Sequence, residues 1–233
     1  MLWRVPPMWE GGEAWIIGGG PSIITEFNIP DNIVQKVLRK ELPLSAYSPY
    51  MKAIHKKHTI GINVAYMLGK WIDIVFLGDG GFFCSHKQGL ASFAGIKVTC
   101  HSGANQDRWI KYLGRDGKRP KGISSQPDLV SWNGNSGAAA ISLAAHTGVK
   151  RIILVGFDMK LNGENRLHFH DCYNKGIIDI NDERKRRKLP FDRHLRGFPF
   201  IAEDAAKRGL EIINACPDSA ITQFPKCHVK DLL

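Results

Sequence analysis

No Cys-x-x-Cys occurs in the 233 residues, and the five cysteines (Cys84, Cys100, Cys172, Cys216, Cys227) are odd in number and widely spaced. That excludes a zinc ribbon or a disulfide framework as the organising device. No apolar run reaches the length of a membrane-spanning helix, so no membrane partner is expected. The first residues, Met1-Leu-Trp-Arg-Val-Pro-Pro7, lack the basic region and apolar core of a signal peptide, and a cytoplasmic protein is expected. Also missing are a Gly-x-Ser-x-Gly elbow, a His-Glu-x-x-His pair and a kinase signature. There is no internal repeat. Acidic residues are in deficit, 22 against 32 Lys and Arg, for a net charge of +10.

A basic surface favours polyanions such as nucleic acid, an anionic glycan or a nucleotide, although solubility alone also accounts for it. Part of the excess is clustered. Asp182-Glu-Arg-Lys-Arg-Arg-Lys188 holds five cations, Arg184–Lys188. The stretch Lys111–Lys121 adds Lys111, Arg115, Lys118, Arg119 and Lys121. Both read as exposed basic loops or helix ends able to lie on a phosphate backbone.

The chain is 43% hydrophobic, enough for one core, and residues 1–233 read as a single domain. Apolar, β-branched runs predict strands at about 13–18, 58–63, 72–78, 96–100, 151–156 and 210–215. Helices are predicted near 30–40, 86–94, 135–148 and 198–209. Alternation of this kind argues for an α/β fold with a doubly wound, mostly parallel sheet. Ligands of such a sheet gather at the strand carboxyl ends. There the sequence places Asn63, Asp79, His101 with Ser102, Asp158 and Asn214. Each alone suits a turn or cap, but five strand ends of this kind point to a polar site. The segments 102–134 and 159–197 read as insertions forming a basic lid over those ends.

The densest glycine signal is Ile17-Gly-Gly-Gly-Pro-Ser22. Gly18, Gly19 and Gly20 let the backbone approach a ligand, Pro21 suits a helix start, and Ser22 offers a hydroxyl and an N–H to a phosphate. It is neither a full Gly-x-Gly-x-x-Gly nor a Walker loop, and an unliganded βα turn reads equally well. A second anion site is the helix start at Asn135, Ser136 and Gly137, where simple capping is the alternative. His168-Phe-His-Asp171 is the densest ionisable cluster. Its histidines suit acid–base work better than metal binding, for which no third ligand is evident. His194 is a further candidate base, and Cys216 reads as a buried strand-end cysteine.

Four segments taken in order resemble a known superfamily: Ile17-Gly-Gly-Gly-Pro-Ser22, Gly61-Ile-Asn63, Asn135-Ser-Gly137 through Gly156-Phe-Asp158, and Asn214-Ala-Cys-Pro-Asp-Ser219. The superfamily joins bacterial lipooligosaccharide sialyltransferases, flagellin-glycosylating accessory factors and archaeal-type 6-hydroxymethylpterin diphosphokinases. Shorter bacteriophage-encoded members, with a His-x-His after the Gly-x-Asp strand, are the most similar. The resemblance implies a single Rossmann-like domain with a mobile lid and metal-free transfer from a CMP- or UDP-type sugar donor. It puts donor contacts on Gly18, Gly20, Pro21, Ser22, Asn63, Ser136 and Gly137. It implies a histidine base that aligns near His194, with His168 and His170 competing for the role. Tyr173 is the one candidate for the tyrosines that steady the leaving phosphate. The reading that follows is a nucleotide-sugar-dependent glycosyltransferase acting on a hydroxyl, with a hydroxylated base in phage DNA as a possible acceptor. A homo-oligomer is also implied. Two alternatives remain. One is an ATP- and Mg-dependent diphosphokinase of a pterin-like alcohol, using Asp79, Asp158 and the histidines. The other is a nucleic-acid-binding module without catalysis.

Overall fold

A computed structural model describes residues 1–117, 122–173 and 176–233. Six strands build the main sheet where the apolar runs predict them: β1 (Glu13–Ile17), β2 (His58–Ile62), β3 (Ile74–Leu77), β4 (Ile96–Thr99), and later β8 (Arg151–Val155) and β9 (Glu211–Asn214). Between β4 and β8 come three two-residue strands: β5 (Lys111–Tyr112), β6 (Gly114–Arg115) and β7 (Leu129–Val130). β5 joins the main sheet at its edge, so the 102–134 segment is not wholly loop, and Lys111 belongs to a strand. β6 and β7 pair with each other.

The seven-stranded sheet runs β5-β4-β3-β2-β1-β8-β9, with every pair parallel. Parallel strands covered on both faces must be apolar where they are buried, which is why β3 and, past their first residues Glu13 and Arg151, β1 and β8 read as apolar runs. Alternate residues divide between two cores. Ala14, Ile16, Ile60, Phe76 and Leu154 face one side, where α4 (Ser136–His146) and α7 (Phe198–Lys207) pack. Trp15, Ile17, Val75, Leu77 and Ile153 face the other. That side is covered by α1 (Ser22–Glu26), α2 (Asp31–Leu38), α3 (Gly80–Ser92) and the 3₁₀ segments Leu44–Ile54 and Asn63–Leu68. Helices on both faces of a parallel sheet make this a Rossmann-like fold.

α3 begins at Gly80, ahead of the predicted start at 86, because Asp79 caps it by accepting from Phe82 N–H at 2.8 Å. Two further helices lie in the 159–197 segment, the short α5 (Glu183–Arg187) and α6 (Phe191–Leu195). Among the described residues no helix is long and apolar enough to cross a membrane.

From β1 the chain steps outward through β2, β3, β4 and β5, then returns across the sheet to place β8 on the other flank of β1. The direction of winding reverses between β1 and β8. Backbone connections leave those two strands in opposite directions, which opens a crevice at their carboxyl ends.

Candidate active site at the strand carboxyl ends

A cleft of about 640 Å³ occupies that crevice. Its walls come from the turn after β1 (Gly18, Gly19, Gly20), from Asn63 after β2, from Asp79 after β3 and from Gly156–Asp158 after β8. The start of α4 (Asn135, Ser136, Gly137) forms a further wall. The 159–197 segment lines the cleft twice, through His168, His170 and Tyr173 and again through Arg193 and His194. Of the residues singled out in the sequence, Pro21, Ser22, His101, Ser102, Asn214 and Cys216 lie outside the lining.

Ser22 is turned onto Asp158. Its N–H and hydroxyl donate to the two carboxylate oxygens at 3.0 and 2.8 Å. The other turn amides are likewise engaged by the partner strand, Gly18 N–H with Val155 O and Gly20 N–H with Gly156 O. A Cβ on Gly20 would meet the Asp158 carboxylate, so glycine there admits a side chain of the protein itself. Burial raises the Asp158 pKa, with the Ser22 hydrogen bonds opposing. The backbone of 157–158 is held from below, Ser219 Oγ donating to Phe157 O at 2.6 Å and Ala220 N–H to Asp158 O at 2.8 Å. Sequence reasoning did not find this lock, because Ser22 and Asp158 stand 136 residues apart.

The start of α4 is different. Asn135 Oδ1 accepts from Ala138 N–H at 2.8 Å, and Ser136 Oγ accepts from Gly78 N–H at 3.2 Å. The first turn of a helix leaves its N–H groups without intrahelical partners. One is taken by the Asn135 cap, while Ser136 and Gly137 carry theirs at the cleft wall. Partial positive charge from the helix dipole adds to them, so this wall favours an anion.

The histidines line the same cleft. The imidazoles of His168 and His170 are stacked, 5.1 Å apart and 5° from parallel, with the Tyr173 ring edge-on to both. Backbone bonds assign their tautomers. His168 Nδ1 lies 3.3 Å from Gly19 O, a pure acceptor, so Nδ1 carries a proton. His170 Nδ1 accepts from Cys172 N–H at 3.1 Å, so its proton sits on Nε2. Burial, with His168 and His86 alongside, holds the His170 imidazole down at about 3. It is a neutral donor, and of the three candidate bases it is the one unsuited to accepting a proton. His194 Nε2 faces the Arg193 guanidinium at 3.3 Å, and its backbone carbonyl accepts from Asn135 Nδ2 at 3.1 Å.

The depressed His170 pKa gives a pH prediction. Between about 3 and 6.5 the unfolded chain takes up a proton that the folded His170 refuses, so stability falls as pH falls through that window. Between pH 7 and pH 5 the expected loss is about 2 kcal/mol. Urea titrations of wild type and His170→Gln at both pH values check this, the variant lacking that part of the pH dependence.

Tyr173 meets the Asn63 side chain and the Val64 N–H through its hydroxyl, and burial raises its pKa strongly. Asn63 adopts φ 51°, a left-handed conformation that Asn tolerates better than most residues. Asp79 is occupied in capping α3. Among the described residues no three His, Cys, Asp or Glu are grouped closely enough to hold a metal ion. His101 and Ser102 line a separate pocket of about 290 Å³ at the sheet edge. Cys216 is buried, and its thiol is pushed up to about 12 by burial and the neighbouring Asp158.

Of the two basic stretches, Arg184–Lys188 is exposed throughout. Its pairs Arg187–Glu183 and Lys185–Asp182 are surface contacts of small energetic weight. In the other, Arg115 is committed: its guanidinium lies 4.0 Å over the Trp132 ring and donates to the Gly78 and Cys100 carbonyls. Lys118, Arg119 and Lys121 lie outside the described residues.

No family model matches the chain, and no curated protein matches it. Solved structures do. The MAf glycosyltransferase from Magnetospirillum magneticum AMB-1 superposes over 100% of this chain with TM-score 0.61 and 10% identity. This chain spans only 36% of that protein's length. The sialyltransferase CstII from Campylobacter jejuni, in complex with CMP-3FNeuAc, aligns over 93% of this chain and 86% of its own, with TM-score 0.49 and 12% identity. At 10% identity the likeness to the MAf glycosyltransferase is one of fold.

Proposed function

We propose that the protein is a nucleotide-sugar-dependent glycosyltransferase. The observation that carries this is the cleft itself. At the point where the winding reverses, one cleft of about 640 Å³ is lined both by an anion-favouring helix start and by the stacked imidazoles. A donor seated there would lay its phosphate on the Ser136 and Gly137 amides, with Lys160 and Arg193 at the margin. Transfer breaks the bond between the sugar and the phosphate oxygen, and the acceptor hydroxyl loses its proton to a base. His168 and His194 are the two candidates for that base. The fixing of the His168 ring on Gly19 O beside the glycine turn supports the former, and the resemblance seen in the sequence supports the latter. That a glycosyltransferase from Magnetospirillum shares the fold over the whole of this chain adds weight to the class.

A CMP- or UDP-type donor comes from the resemblance. A DNA acceptor finds support in the net charge of +10 and in the exposed cations of Arg184–Lys188. Retardation of DNA that weakens steeply with salt is the expected sign of it. A phage source, a cytoplasmic location and a homo-oligomer belong to the same reading.

The test of the class is a thermal-shift screen against CMP, UDP, GDP, ADP, ATP and their sugar conjugates, with and without Mg²⁺. One nucleotide or its sugar conjugate is expected to stabilise by about 2.7 kcal/mol at a hundredfold excess over its dissociation constant, without Mg²⁺. A shift with ATP and Mg²⁺ alone favours a diphosphokinase, and no shift with any of them sinks the proposal.

A further inference from the structure

Two side-chain atoms in the cleft wall are buried and without a hydrogen-bond partner among the described residues: His170 Nε2 and Asn63 Oδ1. Both belong to residues gathered on Tyr173. Asn63 bonds its hydroxyl, and the His170 ring lies 4.9 Å from its ring, edge-on. The Cys172 amide, bonded to Nδ1, obliges Nε2 to be a donor, while an amide Oδ1 is an acceptor. An unpartnered donor and an unpartnered acceptor on two residues that both touch Tyr173 are together complementary to a hydroxyl group, which accepts one hydrogen bond and gives one. A phosphate or carboxylate oxygen, which only accepts, would leave Asn63 Oδ1 unsatisfied. Leaving such groups unpaired in a low-dielectric wall is costly, and natural sites retain them where a ligand or water completes them.

We infer that His170 Nε2–H, together with Asn63 Oδ1, seats a hydroxyl group of the nucleotide-sugar, with His170 a binding donor. The inference rests on the function proposed above and assigns a contact within it. His170 lines the cleft and is 5% exposed while its Nε2 is buried, so a small shift of the surrounding side chains brings the hydroxyl onto that atom. The flanking contacts fix the ring from every side: Phe169 N–H and His168 both bond Gly19 O, and His168 stacks on the ring face. The donor is therefore presented already oriented.

The hydroxyl has two possible sources, the ribose and the transferred sugar, and binding measurements separate them. The dissociation constants of CMP and UDP, of their 2′-deoxy and 3′-deoxy forms, and of their sugar conjugates would be measured by calorimetry. The proteins are wild type, His170→Phe and His170→Gln. For a ribose hydroxyl, His170→Phe is expected to weaken the parent nucleotide about tenfold and leave one deoxy form unchanged relative to wild type. For a hydroxyl of the transferred sugar, the tenfold loss appears with the conjugate and not with the bare nucleotide. His170→Gln, whose amide N–H reaches the same place, is expected to bind within about threefold of wild type. Equal weakening of every ligand, deoxy forms included, or no weakening at all, overturns the inference. So does a His170→Gln protein as weak as His170→Phe, or an unliganded protein whose ¹⁵N spectrum places the His170 proton on Nδ1. Failure of every nucleotide to bind wild type overturns the functional reading first, and is seen before any variant is compared.

Discussion

Phe169→Ala is expected to destabilise the protein by about 3–5 kcal/mol, the range for removing a fully buried aromatic ring. Phe169 is 0% exposed and belongs to the core on the α1, α2 and α3 face of the sheet. It is the one large core anchor between two cleft histidines. Its N–H bonds Gly19 O at 3.2 Å, its carbonyl accepts from Tyr47 Oη at 3.4 Å, and its ring lies 6.1 Å from that of Tyr47. The residue thus ties a segment of irregular backbone to the turn after β1. Loss of the ring opens a cavity there, and His168 and His170 lose their common support. Urea unfolding gives the stability change, and hydrogen exchange should show faster opening in 167–173 than in β1 or β8. Phe169→Leu, which keeps most of the volume, should cost less than half as much. A loss below about 1 kcal/mol in Phe169→Ala would show that the segment is not anchored through this ring.

Gly20→Ala carries the second large effect, about 3 kcal/mol of stability together with loss of ligand affinity. The added Cβ would meet the Asp158 carboxylate and lie 2.6 Å from Gly156 O. The carbonyl is backbone in the turn after β8, and the carboxylate is pinned by Ser22, so neither side yields cheaply. Gly19→Ala is the control. Its Cβ would stand 3.2 Å from His168 Nδ1, a contact relieved by a shift of a few tenths of an ångström, and a cost of at most about 1 kcal/mol is expected. Equal effects of the two variants would remove the argument that Asp158 occupies the glycine turn.

The strands of the main sheet were legible because a parallel strand buried on both faces has to be apolar where it is covered, as in Ile74–Leu77 and the Ile152–Val155 part of β8. Strand β5 was not legible. Two residues, Lys111 and Tyr112, carry no periodicity, and their place at the sheet edge comes from pairing with Val98 and Thr99. The 3₁₀ segment Leu44–Ile54 was hidden by Pro49 and its serines, which argue against a regular helix. The start of α3 was hidden by Gly80 and Gly81, poor helix formers that the Asp79 cap carries into the first turn. At the cleft, the polar residue types at strand ends could be read directly from the chain. Their partners could not. Ser22 with Asp158, and His168 with Gly19, are contacts between residues 136 and 149 apart, set by the crossing of the sheet. The tautomers of His168 and His170 follow from two backbone groups, and nothing in the local sequence distinguishes the two rings.

The order of strands also fixes when the molecule can be completed. β1 is made first, yet one of its two neighbours is β8, which begins at Arg151. A nascent chain that ends before Arg151 can pair β1 with β2 alone, and one edge of Trp15, Ile16 and Ile17 stays bare. Long-range parallel pairing of this kind is slow, and a bare apolar edge is prone to join another chain. Synthesis through β8 is therefore the step that closes the vulnerable edge, and by bringing Gly156–Asp158 against the glycine turn the same step assembles the cleft.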